Sequence, residues 1–253
     1  MMQETGWLGF FTGVETNDFK FGLGSDGKTI IKINEKKGDS LATKLTVNLD
    51  FQVEQTLPDG KVIMLKILPE TLESPNTPTT EPKNTVIRGK VKGDAQFEVT
   101  VDEARGGILL GGRLLDPGTL PKDSLRFIIA AKIPNAYVDV KTGSDKKAIK
   151  AFEERIKEDF VQLTYADKKR VKLSTAENID AGSKDTNGAG ITAVGIGFST
   201  YKGKEMDFTA SPNSVLTLSG KQPGPLQDGF TITWAADAAK DPKGAARLSI
   251  EVR

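Results

Sequence analysis

Four groups of residues have types and spacings from which chemistry can be built. Ser183, Asp185, Asn187 and Gly188 fall at the first, third, fifth and sixth places of a calcium-binding loop. The twelfth place, where a bidentate Glu belongs, is Val194, and Asp185 is the sole carboxylate among these positions. Asp185 and Asn187 are therefore the metal candidates, with too little charge for a tight calcium site. Gly22, Gly24 and Gly27 spell GxGxxG, but the β-branched run Lys28 to Asn34 follows where a dinucleotide fold needs a helix, so a hairpin turn is expected. Gly111 is followed by Gly112 and Arg113, not by the Lys and Ser or Thr of a phosphate loop, and close backbone packing is the expected role of these glycines. Trp7 and Trp234, with Tyr137, Tyr165 and Tyr201, are the residues that can stack on sugar rings, and the two tryptophans are the ligand-binding candidates.

Composition removes much else. The 253 residues contain no His and no Cys. Thiol nucleophiles, disulfides, Ser-His activation and imidazole or thiolate metal ligands are all excluded. Chemistry would have to rest on carboxylates, Lys, Tyr or an oxygen-bound cation. The adjacent Glu153 and Glu154 point about 100° apart on a helix and read as a solvated face. No catalytic residue and no cofactor is assigned. The 35 basic and 34 acidic residues balance to +1, so no nucleic acid or acidic membrane surface is expected as a partner. No run approaches the roughly 20 apolar residues of a membrane-spanning helix.

The elements that position these residues are mostly strands. Leu45, Val47, Leu49, Phe51 and Val53 alternate strictly with polar residues, and Pro58-Asp59-Gly60 turns the chain back into Val62 to Leu68. That second run is apolar on both faces except at Lys66, which predicts a central strand. Thr85 to Lys92 and Ala95 to Val101 form a hairpin about Gly93-Asp94, and Leu125 to Lys132 is a buried strand. Further strands are expected at 6–14, 19–23, 29–33, 170–174, 191–200, 205–209, 215–218, 230–234 and 246–252. Phe97 to Leu115 and Val171 to Phe198 share an order of strand, acidic turn and glycine-flanked strand, which suggests a duplicated unit.

One helix is predicted, over 144–163. Ile149, Phe152, Ile156, Phe160 and Leu163 fall on one stripe, Ser144 caps it and Asp145 complements its positive end. The fold expectation is all-β, of the sandwich type and mostly antiparallel, with this amphipathic helix packed on a sheet, in one or two sandwich lobes. Residues 74–83, with Pro75, Pro78 and Pro82, read as a Pro-rich linker or exposed loop between an N-terminal lobe, 1–73, and a second lobe, 84–253, with one continuous domain as the alternative.

The functional expectation is a non-enzymatic structural or protein-interaction protein whose partner is another protein or a second copy of itself. A carbohydrate-binding module or a His-free glycan-active enzyme is the alternative, and a phage or viral coat or tail component is the second. The opening MMQETGWLGFF lacks a basic stretch followed by an apolar one and reads as a mature terminus. The expected location is therefore periplasmic or cell-surface in a bacterium, with the cytoplasm left open.

Overall fold

The computed structural model describes residues 9–36, 39–40, 46–76, 79, 81–137, 145–183, 186, 190–220 and 224–253. Its strands pair antiparallel into one curled sheet with two arms. The first arm runs in space through β1 (Phe10–Glu15), β2 (Phe19–Gly24), β3 (Thr29–Lys36), β5 (Thr46–Thr56), β11 (Leu125–Ile133), β19 (Phe230–Ala236) and β17 (Ser214–Ser219). Two short strands border it, β4 (Asp39–Ser40) on β3 and β6 (Val62–Leu65) on the far end of β5. The second arm runs through β7 (Ile67–Glu73), β8 (Thr85–Val91), β9 (Gln96–Ala104), β10 (Gly107–Asp116), β20 (Leu248–Val252), β16 (Met206–Ala210), β15 (Ile191–Gly197), β12 (Phe160–Tyr165) and β13 (Arg170–Ser174). The arms meet where Ile191 of β15 pairs with Leu216 of β17, and the chain itself passes between them from β6 to β7. A separate two-residue pair joins β14 (Asn178–Ile179) to β18 (Gly224–Pro225). This is an all-β, sandwich-like fold with, among the described residues, one α-helix.

Alternation decides which side chains lie between the arms. Val47, Leu49, Phe51 and Val53 of β5 point inward with Phe127, Ile129 and Ala131 of β11, while Phe97, Val99 and Val101 of β9 point back at them from the other arm. Phe97 stacks on Phe127 at 5.9 Å between ring centroids. Gly112 makes room for that stack: a Cβ there would lie 2.1 Å from the Phe127 ring. Gly111 and Gly112 of β10 therefore serve close packing, as expected from their sequence. Between β8 and β9, Asp94 N–H donates to Val91 O at 3.1 Å and Val91 N–H to Ala95 O at 2.9 Å, and Gly93 and Asp94 take the positive φ values, +94° and +60°, of this three-residue hairpin loop.

Three expectations are corrected. The helix α1 spans Lys146–Ile156, not 144–163, and Phe160 and Leu163 belong to β12. Its N-cap is Asp145, whose carboxylate accepts the Lys147 N–H at 2.9 Å; Ser144 lies outside the described residues. Beyond Ile156 a period of two overrides the helical one: Val161, Leu163 and Tyr165 are buried, and β12 is paired on both sides, by β13 and β15. Those two ladders pair the β12 backbone on both sides while its inward side chains enter the core. The shortened helix keeps Ile156 in the core and sets Phe152 edge-on to Tyr137 at 5.3 Å.

The run Val62 to Leu68 is not a central strand. It divides at Lys66, whose carbonyl accepts from Lys92 N–H at 3.0 Å, and its halves serve different arms. On β6 Val62 and Met64 remain 49% and 51% exposed. Leu65 opposite Val53 and Ile67 opposite Val91 both pack on the core, so the same face stays inward across Lys66 and the apolar Val62 and Met64 stand on the outward face. The proposed duplication also fails: β9 and β10 pair directly, whereas β13 and β15 flank β12.

The Pro-rich stretch is tied down at several points. Ser74 Oγ donates to Val86 O at 2.7 Å, Thr12 Oγ1 donates to Thr79 O at 2.9 Å, and Pro82 is buried with its carbonyl accepting from Glu103 N–H at 2.8 Å. Pro78 lies outside the described residues. Because β7 and β8 pair across this stretch, we propose that a protease cut within 74–83 yields two fragments that co-elute and unfold in one transition. Fragments that separate under native conditions would establish two lobes. At the arm contact, Gly112→Ala is expected to cost about 1–3 kcal/mol by forcing the Phe127 ring away, measured by urea denaturation; a change within experimental error would mean that the ring moves freely.

Candidate functional site

The described aromatic candidates are structural. Trp234 points inward from β19, flanked in register by Ile129 of β11 and Leu216 of β17, and is fully buried. It therefore presents no platform to a sugar, and its indole N–H finds no acceptor among the described residues. Tyr137, Tyr165 and Tyr201 are likewise buried. Trp7, Asp185 and Asn187 lie outside the described residues, as does Gly188. Near them, the buried Thr186 hydroxyl donates to Ala181 O at 2.7 Å and lies 3.1 Å from both Asp180 O and Ser183 O. That hydroxyl holds the carbonyls of Asp180, Ala181 and Ser183 together from inside.

Around α1, Tyr137, Phe152, Phe198 and Tyr201 form a chain of ring contacts between 5.3 and 6.1 Å, with the Arg155 guanidinium 5.6 Å from the Phe152 centroid. Burial raises the pKa of the Tyr201 phenol far above its ordinary value. A phenol that stays protonated and sits among rings serves packing, not proton transfer.

Carboxylates occur mostly on the outer faces, matched to bases. Glu98 lies between Arg88 and Arg113 at 3.0 and 3.2 Å, with only 9% of its side chain exposed. Glu54 accepts from Arg126 Nε at 2.9 Å, and Asp50 pairs with Lys132. On the second arm Asp207 and Glu251 are direct partners across β16 and β20. Burial pushes the Asp207 carboxyl above the ordinary aspartate range, while Arg253 at 3.0 Å opposes the shift. Two carboxyls at this spacing, one raised, have the inventory of a glycosidase pair. Their setting differs: they stand on a sheet face with a guanidinium against the member that would have to hold the proton.

The described surface also carries a groove of about 150 Å³ on the outer face of β1, β2 and β3, lined by Phe10, Lys20, Phe21, Gly22, Ile30 and Lys32. Inward residues Phe19, Phe21 and Leu23 of β2 and Ile31 and Ile33 of β3 are buried in the core, which leaves the alternate residues Lys20, Gly22, Ile30 and Lys32 outside. Phe10 stands at the register of Gly24, beside the side-chain-free strip of β2. The groove was not legible among the sequence motifs. Its signal was the GxGxxG stretch itself, read only for phosphate, where the glycines open the outer face of a hairpin.

Asp159 marks a second non-obvious position. It is 3% exposed, between α1 and β12, and accepts from Ser199 N–H at 2.8 Å and the Ser199 hydroxyl at 3.2 Å. Burial raises its pKa above the ordinary 3.8, partly offset by those two hydrogen bonds. A folded-state pKa above the unfolded one means that the folded protein binds the proton more readily, so stability contributed at this site grows as pH falls through that window. Between about pH 7 and pH 4, the urea midpoint of the unsubstituted protein should therefore rise relative to that of Asp159→Asn. A difference that does not change with pH would show that the carboxyl titrates normally.

No family model matches the chain, and no curated protein does. Solved structures match in fold. Three structures of the α-N-acetylgalactosaminidase NagBb from Bifidobacterium bifidum superpose with TM-scores of 0.56 for the GalNAc complex, 0.55 for a quadruple mutant and 0.55 for the Gal-NHAc-DNJ complex. Identity is 10%, 10% and 11%, and each match covers 95% of this chain and 35% of the other. At such identity the similarity establishes a shared fold, and this chain spans about a third of the length of the chains it matches.

Proposed function

We propose that this chain is a carbohydrate-binding sandwich module that breaks no bond itself. The observation that carries the reading is the superposition of nearly the whole chain, 95%, on one part of a glycan-cleaving enzyme three times as long in coverage terms, 35%. A sandwich of this size inside a longer glycosidase is well suited to holding substrate or supporting a catalytic unit, and the outer sheet faces are where such contacts form. The absence of His and the basic partners of the described carboxylates favour binding over hydrolysis. Export, the expected location, agrees with a glycan ligand and is checked by fractionating the native host.

The test is a glycan array spanning neutral, N-acetylated and acidic sugars, followed by incubation with the matching aryl glycosides. At least one glycan class should be retained, with no release of the aryl group above buffer. Retention of none would sink the module reading. Release abolished by either Asp207→Asn or Glu251→Gln would make the protein an enzyme and place its acid pair on β16 and β20.

A second reading, a protein-interaction or self-associating module, draws on β6. Its outer residues Val62 and Met64 are half exposed, and β6 pairs on one side only, with β5, among the described strands. Such an edge can accept a further strand.

A further inference from the structure

On the outer face of the first arm, Lys20 of β2 and Lys32 of β3 are direct cross-strand partners. Like charges placed opposite one another in an antiparallel pair repel and destabilise it. Glu15 of β1, the next residue along the same row, lies 3.0 Å from Lys20 and neutralises one of them. Lys32 pairs with Thr46 on its other side and has no counter-ion among the described residues. One positive charge is thus left beside an apolar floor. That floor is Phe10 and Ile30, with Gly22 and Phe21, whose ring lies in the core, contributing backbone alone, and the side chains of Lys20 and Lys32 border the same groove of about 150 Å³.

We propose that this groove binds an acidic sugar residue, with its carboxylate between Lys20 and Lys32 and the C–H face of its ring over Phe10. The proposal rests on the carbohydrate-binding reading and names the ligand class of that module. Charge decides the anionic end: a carboxylate held by ammonium donors forms charge-assisted hydrogen bonds and removes the repulsion between the lysines. The floor decides the other end, because a pyranose ring offers apolar C–H groups on one face, which a half-buried Phe10 can cover while hydroxyls remain in water. Asn48 of β5, exposed and in register with Ile30, is placed to meet such hydroxyls. Size limits the occupant to about one ring, since the groove is smaller than the roughly 300–1,000 Å³ of pockets for larger ligands.

The full chain is titrated with trigalacturonate, with galactotriose as the neutral counterpart and with sodium acetate as a bare carboxylate, followed by calorimetry and amide NMR. Trigalacturonate should bind, weaken as salt rises from roughly 0.05 to 0.5 M, and lose roughly tenfold or more in affinity with Lys32→Gln. Phe10→Ala should weaken it independently of salt. Lys32→Gln lies on the outer face and relieves a like-charge contact, so its melting temperature should be unchanged or raised, which separates lost binding from lost folding. Binding of galactotriose as tight as that of trigalacturonate, or binding unmoved by Lys32→Gln, overturns the acidic-sugar assignment and leaves the carbohydrate-binding reading standing. Acetate bound as tightly as trigalacturonate also overturns it, since the site would then read charge alone. Binding of neither saccharide overturns this proposal and, with an empty glycan array, the module reading as well.

Discussion

The fold depends on the approach of β10 to β11, where the two arms of the sheet face each other. Phe127 rises from the first arm and lies against Phe97 of the second, and it fits because position 112 carries no side chain. Sheets that pack face to face stand about 10 Å apart, with interdigitated side chains between them. A large ring on one side therefore requires a gap on the other. Gly112 supplies the gap, and the contact fixes which residues of β9 and β10 look inward. Register along β10 follows, because a slip of one residue would turn Ile108 and Leu110 to solvent and Arg113 into the core.

What could be read from the residue order was whatever has a strong local period. The alternation along β5 and the turns at Pro58-Asp59-Gly60 and Gly93-Asp94 each specify geometry within a few residues, and the structure matches them. The helix end was not legible for a definite reason. Phe160 and Leu163 satisfy a helical stripe, while Val161, Leu163 and Tyr165 satisfy a strand, and only the two neighbouring ladders break the tie. The run Val62 to Leu68 fails for a related reason, since Val62 and Met64 keep apolar side chains on an exposed face, and a local pattern reads them as buried. Trp234 was more legible than its listing among sugar platforms allowed: Phe230, Ile232 and Trp234 alternate, and all three are buried.

The groove illustrates a different limit. Lys20 and Lys32 are twelve positions apart in the sequence, and nothing in that spacing says that they touch. Their opposition is a property of the β2–β3 register, set by inward Phe21 pairing with inward Ile31. Sites formed by strand register are hidden from motif searches, which look for residues close in sequence. Core-facing alternation can still reveal them once the pairing is known, because the outward residues are then determined as strictly as the inward ones.

The outer-face charges fall into two kinds, and the difference bears on which of them has ligand-binding capacity to spare. Glu98 is almost enclosed by Arg88 and Arg113, and Arg113 also donates to Lys243 O at 3.2 Å. Its charge is satisfied within the protein, so removing it would strand two guanidinium groups. Lys204 with Asp18 and Arg126 with Glu54 are similarly complete pairs that bind elements together. Along the row Glu15, Lys20, Lys32 the count is uneven, two ammonium groups to one carboxylate, and the surplus stands next to apolar surface. A surplus charge in open water costs little and means little. Beside a partly desolvated floor, where its field is screened less, the same charge selects ligands by sign, and that is the physical ground for looking there before any other face of the sandwich.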